Sequence, residues 1–219
     1  MLGPMAPPLE LTSSLAALDE RERHSVPFVT DRLWLDFVNS DAVAHGNDAL
    51  HDFESFVRWL EVAQLLDAER ASSMRRRAHQ QPSGALAVLG DARRVRAVLR
   101  VLAERGVASH EVRTEALAEI NRVLGRSAGT RRLDAQGDGS FVRSFVPVGD
   151  AFAGLLIPIV EGAADALILA ELSRVRRCAD PRCGRVFQDE TKNGRRRWCD
   201  MATCGNRAKA ARHRMKLHR

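Results

Sequence analysis

Tyrosine is missing from this 219-residue chain, and aromatic residues make up only 5% of it. That scarcity weighs against recognition by stacking on unpaired bases, the usual device of RNA-binding modules. No P-loop, dinucleotide fingerprint, nucleophile elbow or HExxH pair occurs, so nothing points to a nucleotide-hydrolysing, redox or hydrolytic active site. The histidines His24, His45, His51, His79, His110, His213 and His218 are scattered and form no ligand cluster. The opening residues lack a basic region followed by an apolar core, which predicts a cytoplasmic protein in a reducing setting. Residues 151–172 are long and apolar, yet Glu161 and Asp165 sit near their centre. Each charge would cost about 2.5–3.5 kcal/mol inside a bilayer, and Pro158 interrupts the run. A buried helix of a soluble domain is expected there, with the two acids one turn apart on its solvated side.

Cysteine is absent from the first 177 residues, and all four thiols fall between Cys178 and Cys204. Cys178 and Cys183 are separated by four residues, as are Cys199 and Cys204. Disulfides belong mainly to secreted chains. Four unrelated buried thiols would explain neither the symmetry nor the confinement, and an iron–sulfur cluster fits poorly with highly charged surroundings. The pattern predicts one zinc ion held by Cys178, Cys183, Cys199 and Cys204. Four protein thiolates leave no open coordination position, so the zinc is expected to be structural and the protein not an enzyme.

Between the cysteine pairs, "RVFQ" and "RRRW" flank "DETKNG". Asn193-Gly194 is a tight-turn dipeptide, and a short β-hairpin between these flanks is expected. After Cys204 the alanines and long basic side chains favour a helix, with Ala208, Ala211 and Met215 facing the hairpin. Val186, Phe187 and Trp198 complete a core too small to fold without metal. Knuckle, hairpin, knuckle, helix is the order of a treble-clef-like finger. Its charge sets it apart. Residues 174–219 hold fifteen Lys and Arg against four Asp and Glu, a formal charge of +11, whereas residues 1–173 carry −5. Basic density on a small folded unit is the footprint of nucleic-acid binding. Arginine outnumbers lysine twelve to three there, and its fork suits phosphate oxygens and guanine edges.

The stretch "CADPRC…FQDETKNGRRRWCDMATCGNRAKAARHR" resembles the CGNR zinc finger, whose signature stands here as Cys204-Gly205-Asn206-Arg207. Phe187, Asp189, Thr191, Asn193, Arg197-Trp198-Cys199 and Met201 match the rest of its pattern. Upstream, Leu35-Asp36-Phe37-Val38-Asn39 is similar to the "LDFVN" run that opens ABATE-type domains, with Ser40 where Thr is common. The resemblance covers roughly residues 28–216. It implies a bacterial protein described as a stress-induced transcription regulator.

The rest of the chain reads as a mainly helical α+β domain. Residues 1–27 form a proline-bearing flexible lead with a short helix expected near residues 9–23. Residues 28–173 are long enough for one domain with its own core, expected to fold without the finger. Helices are expected at "RLWLDFVNS", at residues 53–66 around Phe56, Trp59, Leu60, Ala63 and Leu66, and at 67–80. Pro82-Ser83-Gly84 breaks the pattern. Residues 85–105 form the next helix, with Leu86, Leu89, Val95, Val98, Leu99 and Leu102 apolar, followed by one over 111–124. Gly137-Asp138-Gly139 marks a small β-hairpin with Phe141 and Phe145 on its second arm.

These features predict a DNA-binding transcription regulator. Arg195, Arg196 and Arg197 are expected to contact phosphates. The last helix presents Arg207, Lys209, Arg212, Arg214 and Lys216, with Lys209, Arg212 and Lys216 on one face and Asn206 as its N-cap. So small a finger offers few base contacts, so specificity calls for a homodimer or a second module. The acidic domain is expected to sense a small-molecule ligand or mediate self-association. The alternative is a zinc finger that binds RNA or another protein.

Overall fold

The computed structural model describes residues 32–41, 46, 48–126, 129–135, 141–148 and 152–217. The expected lead helix and the Gly137-Asp138-Gly139 turn lie outside them. The first helix, α1 (Leu33–Val38), is one and a half turns long, and Trp34, Leu35, Phe37 and Val38 are all buried. A helix so short is marginal alone; it persists because other elements surround it. Asp52 and Asp67 cap α2 (Phe53–Val62) and α3 (Ala68–Gln80), accepting from the N–H groups of Ser55 and Arg70 at 2.7 Å each. The 24-residue α4 (Pro82–Arg105) begins on its proline. Pro82-Ser83-Gly84 is therefore the opening turn of a helix, because proline needs no N–H partner at that position. The break falls at Gln81.

Helix α4 is the spine, roughly 36 Å long at 1.5 Å per residue. It packs against α1, α2, α3 and α5 (His110–Arg126). Leu89, Val95, Leu99 and Leu102 are buried as their spacing predicts, but Leu86 is 68% exposed because it lies on the outer side of the helix, away from the buried Ala85, Val88 and Leu89. The hairpin of β1 (Gly129–Ala135) and β2 (Phe141–Pro147) is antiparallel, pairing Gly129 with Pro147 and Ala135 with Phe141. Gly129 is obligatory: a Cβ there would run into the Phe145 ring and the Val146 carbonyl. A short 3₁₀ turn leads into α6 (Ile157–Ile168), which buries Ile157, Ile159, Val160, Ala163 and Ala166 against α1 and α5. Glu161 is ion-paired with Arg131 and Asp165 is exposed, so this acid pair stands at the helix rim. No helix among the described residues is long and apolar enough to cross a membrane.

The basic C-terminal part contains β3 (Val175–Arg177), β4 (Val186–Gln188) and α7 (Asn206–Leu217). Strand β4 pairs antiparallel with β3, not with residues 195–198 as the sequence suggests. The expected turn is present, with Gly194 at φ +60° and its N–H donating to Thr191 O at 3.1 Å. Val175 and Val186 belong to the main core. Asn39, at the end of α1, acts as a side-chain strand: Nδ2 donates to Val186 O at 2.8 Å, and Val186 N–H donates to Oδ1 at 2.9 Å. Arg100 on α4 donates to Gly184 O and Val38 O, both at 3.0 Å, and to Asp41.

Replacing Asn39 by alanine leaves both Val186 backbone groups unpaired in this buried seam. The cost is about 1–3 kcal/mol per group. At about 2–4 °C per kcal/mol for a chain of this size, Asn39→Ala should lower the melting temperature by several degrees in a circular-dichroism melt. An unchanged melt would show that the seam contributes nothing.

Candidate zinc centre and basic finger surface

Two turns carry the thiols. In the first, Asp180 O accepts from Cys183 N–H at 2.9 Å and Asp180 Oδ1 accepts from Arg182 N–H at 3.1 Å. Cys178 N–H and Ala179 N–H donate to Arg185 O and Arg197 O, at 2.9 and 2.8 Å, which ties this knuckle to the residue before β4 and to the segment leading into Cys199. In the second, Asp200 Oδ1 accepts from Thr203 N–H at 2.6 Å and from Thr203 Oγ1 at 2.7 Å, starting a π-helical turn over Met201–Gly205. That turn brings Cys204 inward and runs directly into α7. Between the knuckles the buried Asp189 accepts from Thr191 N–H at 3.0 Å, from the Thr191 hydroxyl, and from Arg196 N–H at 2.8 Å.

The four Sγ atoms all lie within 4.8 Å of one another. Cys183 Sγ is 3.6 Å from Cys199 Sγ, which is 3.7 Å from Cys204 Sγ. A zinc–sulfur bond of about 2.3 Å gives a tetrahedron with edges of roughly 3.8 Å. The spacing fits that tetrahedron and rules out a disulfide, whose sulfurs lie about 2.0 Å apart. Without a cation the cluster resists ionisation. Burial pushes the Cys199 thiol far up, reinforced by the charges of Cys183 and Cys178, and burial pushes Cys204 up to about 11. Burial also works against the Cys178 thiolate, yet backbone hydrogen bonds from Cys199 and Asp180 hold that thiol below its usual range. A divalent soft cation resolves the conflict by neutralising half the thiolate charge. The protein holds one structural zinc, with all four positions taken by sulfur.

Residues 31–169 match the ABATE family, described as "Putative stress-induced transcription regulator". The chain belongs to this family. Residues 174–216 match the CGNR zinc finger. No protein of curated function matches the chain.

Within the CGNR finger the predicted basic residues divide into three groups. Arg196 is turned inward: Nε donates to Trp198 O at 3.0 Å, Nη2 donates to Cys199 O, and the guanidinium lies 4.8 Å from the Phe187 ring centroid. It braces the second knuckle and is withdrawn from the expected phosphate contacts. Arg195, Arg197, Lys209, Arg212 and Arg214 are exposed, and none has a carboxylate partner among the described residues. Arg207 is half-buried and ion-paired with Asp180 at 3.0 Å. The Lys216 side chain lies outside the described residues. Around α7, Arg207, Arg212 and Arg214 line a cleft facing the first knuckle, and Lys209 points away from it. Lys209 and Arg212, three residues apart on α7, are both exposed on neighbouring positions, and Arg212 also borders the cleft.

Two further expectations are corrected here. Asn206 is not the cap: its backbone is helical at φ −67°, and its Nδ2 donates to Ala202 O at 3.0 Å. Asp200 is the cap, because the π turn extends the helical segment five residues upstream; the Asp-Met-Ala-Thr run from 200 to 203 carried that signal. Met215 is 65% exposed, so only Ala208 and Ala211 turn partly inward. Sequence reading missed Asp180 and Arg182, whose signal was an Asp-Pro-Arg turn inside the first knuckle.

Replacing Cys199 by serine should abolish stoichiometric zinc in elemental analysis and unfold the finger, while most helical signal survives. Zinc binding must displace protons from thiols with raised affinity for them, so zinc affinity should fall steeply as pH falls below neutrality. Hydrogen bonds from the Thr191 and Thr203 side chains hold Asp189 and Asp200 below the usual carboxylate range. Their contribution is complete above about pH 4 and lost only below it. Zinc release between pH 7 and 5, followed with a chromophoric chelator, therefore reports the thiols; retention of zinc throughout that range would contradict thiolate ligation.

Proposed function

We propose that this ABATE-family protein regulates transcription by binding duplex DNA through its CGNR finger. The acidic ABATE domain then senses a small-molecule ligand or mediates self-association. The observation that carries the reading is the fate of the arginines. In the ABATE domain Arg75 pairs with Glu54 and Glu61, Arg96 with Asp48, Arg100 with Asp41, and Arg122 with Glu119 and Asp91. In the finger Arg195, Arg197, Lys209, Arg212 and Arg214 face solvent without carboxylates among the described residues. Unneutralised cations on a rigid, zinc-stapled unit favour a polyanion. The fully coordinated zinc supports a structural role and a protein that is not an enzyme. A reduced tetrathiolate fits the cytoplasm.

The test is fluorescence anisotropy of zinc-loaded full-length protein with a labelled duplex over a range of salt. Neutralisation of about five phosphates gives a log–log slope near −4.5. Substituting Lys209, Arg212 and Lys216 together with alanine should flatten the slope by about 2.7, at roughly 0.9 for each phosphate no longer neutralised. If the slope is unaltered, or duplex is not bound at low salt, the DNA reading fails and a protein-interacting finger takes its place.

A further inference from the structure

A cleft of about 450 Å³ lies on the finger between the first cysteine knuckle and α7. That is within the range of small-molecule sites. Its walls carry two different chemistries. Trp198 with Ala208 and Ala211 supplies an apolar side, and Arg182, Arg207 and Arg212 supply a cationic rim. Alanines at 208 and 211 keep the cleft open, since larger side chains on that face would fill it. Asp180, only 5% exposed, stands beneath the rim and pairs with Arg207 at 3.0 Å and Arg182 at 3.8 Å. This buried carboxylate holds Arg207 at ion-pair distance, with the exposed Arg182 farther off, while its own backbone closes the zinc knuckle. An arginine carries five N–H donors in a fixed fork, so pairing with Asp180 leaves both residues able to donate to a second anion. Cations clustered beside an aromatic wall suit a ligand with a phosphate next to a planar ring.

We propose that this cleft is a nucleotide site. The phosphate rests on Arg182, Arg207 and Arg212, and the base lies against Trp198 and the two alanine methyl groups. The ligand's chemistry is the same whether the nucleotide is free or is an unpaired residue of a nucleic-acid strand. The site goes beyond duplex binding, because α7's outward lysine at 209 takes no part in it.

The test uses zinc-loaded full-length protein and isothermal titration with GMP, AMP, ribose 5-phosphate, inorganic phosphate and a short single-stranded oligonucleotide. Saturable binding of a nucleotide at least tenfold tighter than of ribose 5-phosphate or phosphate is expected. The Arg182→Ala/Arg207→Ala double variant should weaken it at least tenfold, and Arg76→Ala on α3 should leave it unchanged. Trp198→Phe should retain partial binding and Trp198→Ala should reduce nucleotide binding to the ribose 5-phosphate level, with zinc content measured in each variant to confirm a folded finger. An oligonucleotide that binds far more tightly than mononucleotides assigns the site to a strand; equal affinity assigns it to free nucleotides. Equal binding of phosphate and nucleotide, or an unaffected double variant, overturns the proposal. Duplex binding without nucleotide binding overturns this site alone, and nucleotide binding without duplex binding overturns the DNA reading alone.

Discussion

The convergence of four sulfurs is the constraint on which the C-terminal part of the molecule depends. Its own buried cluster consists of Cys178, Phe187, Cys199 and Cys204, with Cys183 and Trp198 partly covered. Such a cluster removes too little apolar surface from water to offset the ordering of more than forty residues. The zinc–thiolate bonds do what a hydrophobic core does elsewhere. The two acid-capped turns follow from that requirement. Each must reverse the chain within four residues while aiming both cysteines at one point, and Asp180 and Asp200 hold the loose N–H groups of those reversals. Asp189 does the same for the segment between them. The acids that reduce the finger's positive charge are thus concentrated at its turns, leaving its outer faces basic.

Zinc fixes the finger internally, but the seam fixes where it sits. Asn39 meets both hydrogen-bonding groups of Val186, and Arg100 joins Gly184 O to the α1 end and to Asp41. Arg93 and Arg96 extend the same stripe of α4, donating to the carbonyls of Leu50 and His51 and to Asp48. Three arginines at helical spacing therefore tie together the α1–α2 connection and the finger. A displacement of α1 relative to α4 would be felt at Val186 through hydrogen bonds alone. The "LDFVN" run can be understood in these terms: Leu35, Phe37 and Val38 fill the core, and Asn39 supplies the two-sided amide that a β edge requires.

Much of this was legible in the sequence because its signals were local. Paired cysteine spacing identified the metal site, and 3.6-residue periodicity placed the helices, since both are properties of a single short segment. The misplacements arose where distant groups decide. Residues 195–198 have the look of a strand, yet Cys199 must turn into the cluster and Arg196 must fold back onto the carbonyls of Trp198 and Cys199, so no ladder forms there. Strand β4 instead pairs with β3, whose three residues gave no periodicity to read. Leu86 is apolar but out of phase with the face of α4 that Ala85, Val88 and Ala92 bury, so it stays in solvent. Arg196 looked like its neighbours Arg195 and Arg197 because charge pattern alone does not tell a guanidinium facing Phe187 from one facing water.

Arginine plays opposite parts in the two halves of the chain, and the difference comes from what surrounds it. An arginine beside a fixed carboxylate is a structural tie: its charge is locally neutralised and its side chain is already ordered. An arginine on a surface without acids keeps its charge available and gains by ordering only when an anion arrives. The ABATE domain supplies Glu54, Glu61, Asp91 and Glu119 next to its arginines. Among the described residues Asp180 is the acid that lines the cleft beside α7, paired with Arg207 and more distantly with Arg182. One acid cannot neutralise two cations, so the rim of the cleft keeps a net positive charge. Arg207 is held at Asp180 while the rim around it stays positively charged, so the field that attracts a phosphate is not cancelled by the acid that positions the arginine.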